Sequence, residues 1–115
     1  MMRASPAPNR MEATIVEERV YTMIPGGVHR YVELWDEHGR EAQIQCLGAP
    51  LGVYTCEVGA LNTLTYLWQY ASFADRTNRR YRLQRDERFA EFRSKVRGLV
   101  VQQRNRILTP VSLSP

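Results

Sequence analysis

Between Thr63 and Tyr70 the apolar side chains fall on every second position, so Leu64, Tyr66, Trp68 and Tyr70 share one face of an extended strand. Residues Thr14 to Thr22, rich in β-branched and aromatic side chains, predict an earlier strand that ends at the Pro25-Gly26-Gly27 turn. From Val28 the period changes. Val28, Tyr31, Val32, Trp35 and His38 recur at helical spacing, which predicts an amphipathic helix of about three turns closed by Gly39 at C′. After a looser stretch through Gly48-Ala-Pro50, Leu51 to Val58 predicts a strand, and Gly59-Ala-Leu-Asn62 turns it into the strand of Thr63 to Tyr70. Ser72 with Asp75 resembles a capping box and opens an Arg-rich helix to about Leu83. Asp86 can N-cap another helix, in which Phe89, Phe92 and Val96 share a face, and Leu99 to Leu108 predicts the last strand.

The order β-α-β-β-α-α-β is the split βαβ arrangement of ferredoxin-like folds. It predicts an α+β domain with a four-stranded antiparallel sheet and all helices on one face. The other face is expected to be bare and apolar, carrying strand Val, Leu, Trp and Tyr side chains, so a second copy should cover it. The expected assembly is a homodimer, a dimeric α+β barrel. Three parts are expected along the chain: residues 1–12 as a disordered leader, 13–110 as the domain and 111–115 as a tail. Translation can start at Met1 or at Met11, which stands just before the first patterned segment.

Composition narrows the function classes. With 115 residues there is room for one core, and no apolar run reaches the ~20 residues a membrane helix needs. No membrane association is therefore expected. Cys46 and Cys56 are too few for a disulfide framework or a structural zinc site, which points to reduced thiols in a cytoplasmic protein. Residues 75–115 carry eleven basic and four acidic side chains, whereas residues 1–74 carry five and eight. Arg79, Arg80, Arg82, Arg85 and Arg88 read as a solvated helix face, so nucleic acid is not an expected partner.

The first strand places Ile15, Glu17, Arg19 and Tyr21 on one side. Beside Tyr66, Trp68 and Tyr70 of the third strand, Glu17, Arg19 and Tyr21 form either a pocket wall or a structural ion pair packed by rings. His38 ends the apolar stripe of the first helix, where a cation suits the helix dipole. The candidate pocket residues are thus Glu17, Arg19, Tyr21, His38, Tyr66 and Trp68. No catalytic triad, metal motif or phosphate loop is present, and neither a catalytic residue, a metal nor a cofactor is expected.

Several strings resemble the NIPSNAP family: Tyr21-Thr-Met-Ile-Pro-Gly-Gly-Val28, Leu34-Trp-Asp-Glu-His-Gly39, Gly59-Ala-Leu-Asn62 and Leu67-Trp-Gln-Tyr-Ala-Ser-Phe-Ala-Asp-Arg76. The resemblance continues through Phe92-Arg-Ser-Lys-Val-Arg97 and Gln103-Arg-Asn-Arg-Ile-Leu108 and covers roughly residues 13–110. It implies the dimeric α+β barrel but no assigned reaction. The family pattern often has histidine at the place of Tyr66, and tyrosine there keeps hydrogen bonding but not near-neutral proton transfer. Three functions compete: a small-molecule-binding dimer, a barrel-type enzyme such as a cofactor-free monooxygenase or isomerase, and a purely structural or interaction protein.

Overall fold

The computed structural model describes residues 15–113, so the leader expected over residues 1–12 and the choice between Met1 and Met11 lie outside the described residues. The first strand, β1, runs Ile15–Met23 and ends where Gly26 takes a left-handed φ of 77° that favours glycine. Helix α1, Gly27–Leu34, follows, but the chain does not leave the helix at Gly39. A π-helical turn, Trp35–Gly39, carries it into α2, Arg40–Leu47. Gly39 is therefore an interior residue with φ −111°, and its missing side chain admits Phe92: a Cβ there would lie 2.7 Å from Cγ of that ring. The continuation escapes a periodicity reading because α2 buries Ala42, Gln43, Cys46 and Leu47, a face that includes a polar residue. Gln43 is paid for locally, since its Oε1 accepts from Trp35 Nε1 at 2.7 Å.

Strand β2 is short, Gly52–Thr55, inside the expected Leu51 to Val58. Strand β3 spans Thr63–Tyr70, as its alternation predicts. Helix α3, Phe73–Arg85, starts at the Ser72 cap, whose hydroxyl accepts from Asp75 N at 3.0 Å. Helix α4, Glu87–Val96, starts at Asp86, whose carboxylate accepts from the amides of Arg88 and Phe89. Strand β4, Val100–Leu108, completes the sheet in the order β2-β3-β1-β4, with every pairing antiparallel. The ferredoxin-like topology holds.

Two expectations are corrected. The sheet is open, with β2 and β4 as its free edges, so the chain closes no barrel and the expected dimeric α+β barrel is not what the structure shows. The bare face is also not the one that carries Tyr66, Trp68 and Tyr70. Opposed residues on antiparallel strands share a face, and β1 pairs Ile15 with Tyr70, Glu17 with Trp68, Arg19 with Tyr66 and Tyr21 with Leu64. Tyr66, Trp68, Tyr70 and Leu64 are at most 1% exposed and sit in one core with Tyr31, Leu34, Trp35, Leu83, Phe92 and Val96 from the helices. The large rings thus spend their hydrophobic surface under the helices. The helix-free face carries Val16, Val20, Tyr54, Leu67 and Leu108 among Glu18, Thr65, Gln69, Arg104 and Arg106, with Arg106 bonded to Glu18 at 2.8 Å.

Candidate functional site

Period two on β1 sends Glu17, Arg19 and Tyr21 to the helix side of the sheet together. Glu17 has no solvent exposure, and a carboxylate so placed must be compensated. Helix α3 does this with two residues one turn apart. Arg76 Nη2 donates to Oε2 of Glu17 at 2.7 Å, and Arg80 Nε stands 3.4 Å from Oε1. Arg19 Nη1 adds a third contact at 3.1 Å, and Tyr70 donates its hydroxyl to Oε1 at 3.4 Å. Burial pushes the Glu17 carboxyl upward, but the Arg76 hydrogen bond with the charges of Arg80 and Arg19 outweighs it and holds the group below the ordinary glutamate range.

Arg19 links this buried charge to the space in front of it. Its Nε donates to the Tyr21 hydroxyl at 3.0 Å, and its guanidinium lies 5.8 Å from the centre of that ring. With its amide oriented to satisfy its neighbours, Asn105 on β4 accepts from Arg19 Nη1 at 3.0 Å. The rings continue inward: Tyr66 meets Tyr21 edge-on at 5.7 Å and Trp35 at 5.5 Å, and stacks on Trp68 at 5.7 Å. Trp68 Nε1 is buried without a hydrogen-bond partner among the described residues, and the buried Tyr66 hydroxyl has the Tyr31 hydroxyl as its polar neighbour. Burial first, then the neighbouring hydroxyls, pushes the Tyr66 phenol well above its ordinary value, so it stays neutral.

In front of this wall lies a cleft of about 630 Å³ between the sheet and helices α3 and α4. That volume is in the range of small-ligand sites. Arg19 and Tyr21 from β1 form its floor with Gln103 of β4, and Arg80, Leu83, Phe89, Arg93, Val96 and Arg97 form the helical side. Among the described residues its lining holds arginine, tyrosine, glutamine and apolar residues only.

Of the six sequence candidates, five converge and one stands apart. Glu17, Arg19, Tyr21, Tyr66 and Trp68 form a continuous network, but only Arg19 and Tyr21 reach the cleft. His38 sits on the π-helical turn, 3.7 Å from Glu37, in a shallow depression with Arg30, Leu34, Lys95 and Leu99. Sequence reading missed Tyr31, Arg80, Phe89, Arg93 and Arg97. A usable signal existed: Phe89, Arg93, Val96 and Arg97 recur at one-face helical spacing, and a carboxylate in mid-strand calls for cations such as Arg76 and Arg80. The α3 arginines are also less solvated than expected. Arg79 is 4% exposed and donates to Asp75 at 2.8 Å, while Arg80 turns inward.

Among the described residues no group of three His, Cys, Asp or Glu side chains could hold a metal ion, and no helix is long and apolar enough to cross a membrane. The NIPSNAP family model matches residues 16–115. A NIPSNAP family protein from Agrobacterium tumefaciens is 36% identical, with a TM-score of 0.83 over 89% of this chain and 97% of that one. A NIPSNAP-like domain protein from Burkholderia xenovorans is 33% identical, with a TM-score of 0.85 over 90% of each chain. A putative antibiotic biosynthesis monooxygenase from Nitrosomonas europaea, 9% identical with a TM-score of 0.62 over 85% of this chain and 99% of that one, shares the fold alone. No curated protein matches the sequence.

Proposed function

Since the chain belongs to the NIPSNAP family, we propose that it is a small-molecule-binding domain whose site is the cleft between the sheet and helices α3 and α4. The cleft itself carries this reading: it has a ligand-sized volume, apolar walls from Leu83, Phe89 and Val96, and polar groups converging from Arg19, Tyr21 and Arg80. Binding is favoured over acid–base catalysis by the state of the titratable candidates around the cleft. Glu17 is held as a carboxylate by three arginines, Tyr66 is held as a neutral phenol, and His38 lies outside the cleft.

Two coarser features enter the same proposal. Cys46 and Cys56 are both free thiols, which suits a reducing, cytoplasmic setting. The helix-free sheet face, with half-buried Val16, Val20 and Leu67, is the surface through which we expect a homodimer to form.

Thermal-shift screening of the full chain against a metabolite collection tests the binding site. A ligand should raise the melting temperature of the native chain and lose that effect in Ala90→Trp, where an exposed cleft residue on α4 is enlarged into the space. Hits that stabilise the native chain and the Ala90→Trp variant equally place binding elsewhere.

A further inference from the structure

The charges around Glu17 do not balance. One buried carboxylate is shared by Arg19, Arg76 and Arg80, and none of the three makes another ion pair among the described residues. Two of these residues, Arg19 and Arg80, also line the cleft, and Arg80 Nη2 is buried with no hydrogen-bond partner among the described residues. Arg93 on α4 and Arg97 at the C-cap of that helix add two more, and neither makes an ion pair among the described residues; Arg93 reaches the Gln84 carbonyl at 3.4 Å and lies over Phe89 at 5.6 Å. Among the described residues no acidic side chain lines the cleft to offset them. Partly buried cations of one sign raise the local potential, and a weakly hydrated planar guanidinium is suited to receive a carboxylate or phosphate.

We propose that the cleft binds an organic anion, a carboxylate or phosphate carried on an apolar or aromatic body, with Arg19 and Arg80 receiving the charged group and Arg93 and Arg97 steering it from the rim. This names the ligand class of the site proposed above and rests on that reading. The body packs against Leu83, Phe89 and Val96. The Tyr21 hydroxyl already accepts from Arg19 Nε, which leaves its own proton to donate to the anion. The anion thus supplies the counter-charge that Glu17 alone does not.

Isothermal titration of the full chain with naphthoate, naphthyl phosphate, neutral naphthamide and naphthylmethylammonium separates the outcomes. The two anions should bind about tenfold or more tightly than the amide, the scale of a charge-assisted hydrogen bond. The ammonium should bind weakest, and added salt should weaken the anions alone. Arg80→Gln also loosens Glu17, so the exposed pair Arg93→Gln/Arg97→Gln is the cleaner variant; it should cost the anions roughly threefold and leave the amide unchanged. A stronger phosphate or a stronger carboxylate identifies which anion the site prefers, either result supporting the proposal. An amide that binds as tightly as the acids overturns the anion while leaving the cleft as a binding site. Failure of all four probes beside neutral hits in the metabolite screen does the same. No binding in either experiment removes the cleft reading and the anion together.

Discussion

Glu17 is the residue on which the interior depends most. Its carboxylate has no contact with solvent and holds three guanidiniums in place. Removing the charge leaves those cations facing one another, a kind of change that costs about 3–5 kcal/mol. Glu17→Gln should therefore lower unfolding stability by that amount in urea titration at neutral pH, and a loss within ~0.5 kcal/mol would show that the arginines find other partners. The pH dependence has a definite sign. The folded carboxyl titrates below its unfolded value of about 4.3, so its contribution is present above that pH and disappears as acid carries the solution through the lower folded value. Asp75 and Asp86 shift in the same direction, each desolvated by burial but held down by hydrogen bonds from Ala71 and Arg79 and from Arg88 and Phe89 respectively. Glu17→Gln should flatten the acid limb of the stability curve only in part.

At the scale of elements, the long first helical unit shows how packing overrides a stop signal. Gly39 looks like a terminus in the sequence, yet the chain runs on through a π-helical turn because Phe92 of α4 presses against the space over its Cα. An added methyl group there must displace the ring, and overpacking of this kind costs about 1–3 kcal/mol. Gly39→Ala should be destabilised by that amount, and Phe92→Leu should cost less in the Gly39→Ala background than in the native one. Gly98→Ala is the control, since nothing lies within 4 Å of a Cβ built there, and its stability should stay within ~0.5 kcal/mol of the native chain. Equal losses in the two glycine variants would mean that backbone freedom, not the Phe92 contact, is what Gly39 supplies.

For the whole molecule, the decisive question is what the helix-free face of the sheet does. Its apolar side chains, Val16, Val20, Tyr54, Leu67 and Leu108, are interspersed with Glu18, Thr65, Gln69 and Arg106, so association through it is held by a mixed surface. Sedimentation velocity should find a dimer at micromolar concentration. Val16→Lys, placed opposite Gln69 and Leu108, should shift it toward a monomer whose far-ultraviolet dichroism is unchanged. A native chain that sediments as a monomer at that concentration would end the proposal of pairing through this face.

The sequence by itself determined the order of elements, the Ser72 and Asp86 caps, the extent of β3 and the family, because each is written in local periodicity, capping chemistry or a run of adjacent residues. It also placed Glu17, Arg19 and Tyr21 on one side of β1, since alternation is a property of any strand. Tertiary structure alone decided which side that was. Alternation defines two faces without saying which one helices will cover, and the bulk of Tyr66, Trp68 and Tyr70 settled it by filling the core shared with the helices. The same packing turned Arg76 and Arg80 toward Glu17, continued the helix past Gly39, and left the sheet open at β2 and β4. Those outcomes depend on contacts between residues far apart in the chain, such as Glu17 with Arg76 across fifty-nine positions and with Arg80 across sixty-three, and no local pattern encodes such a distance.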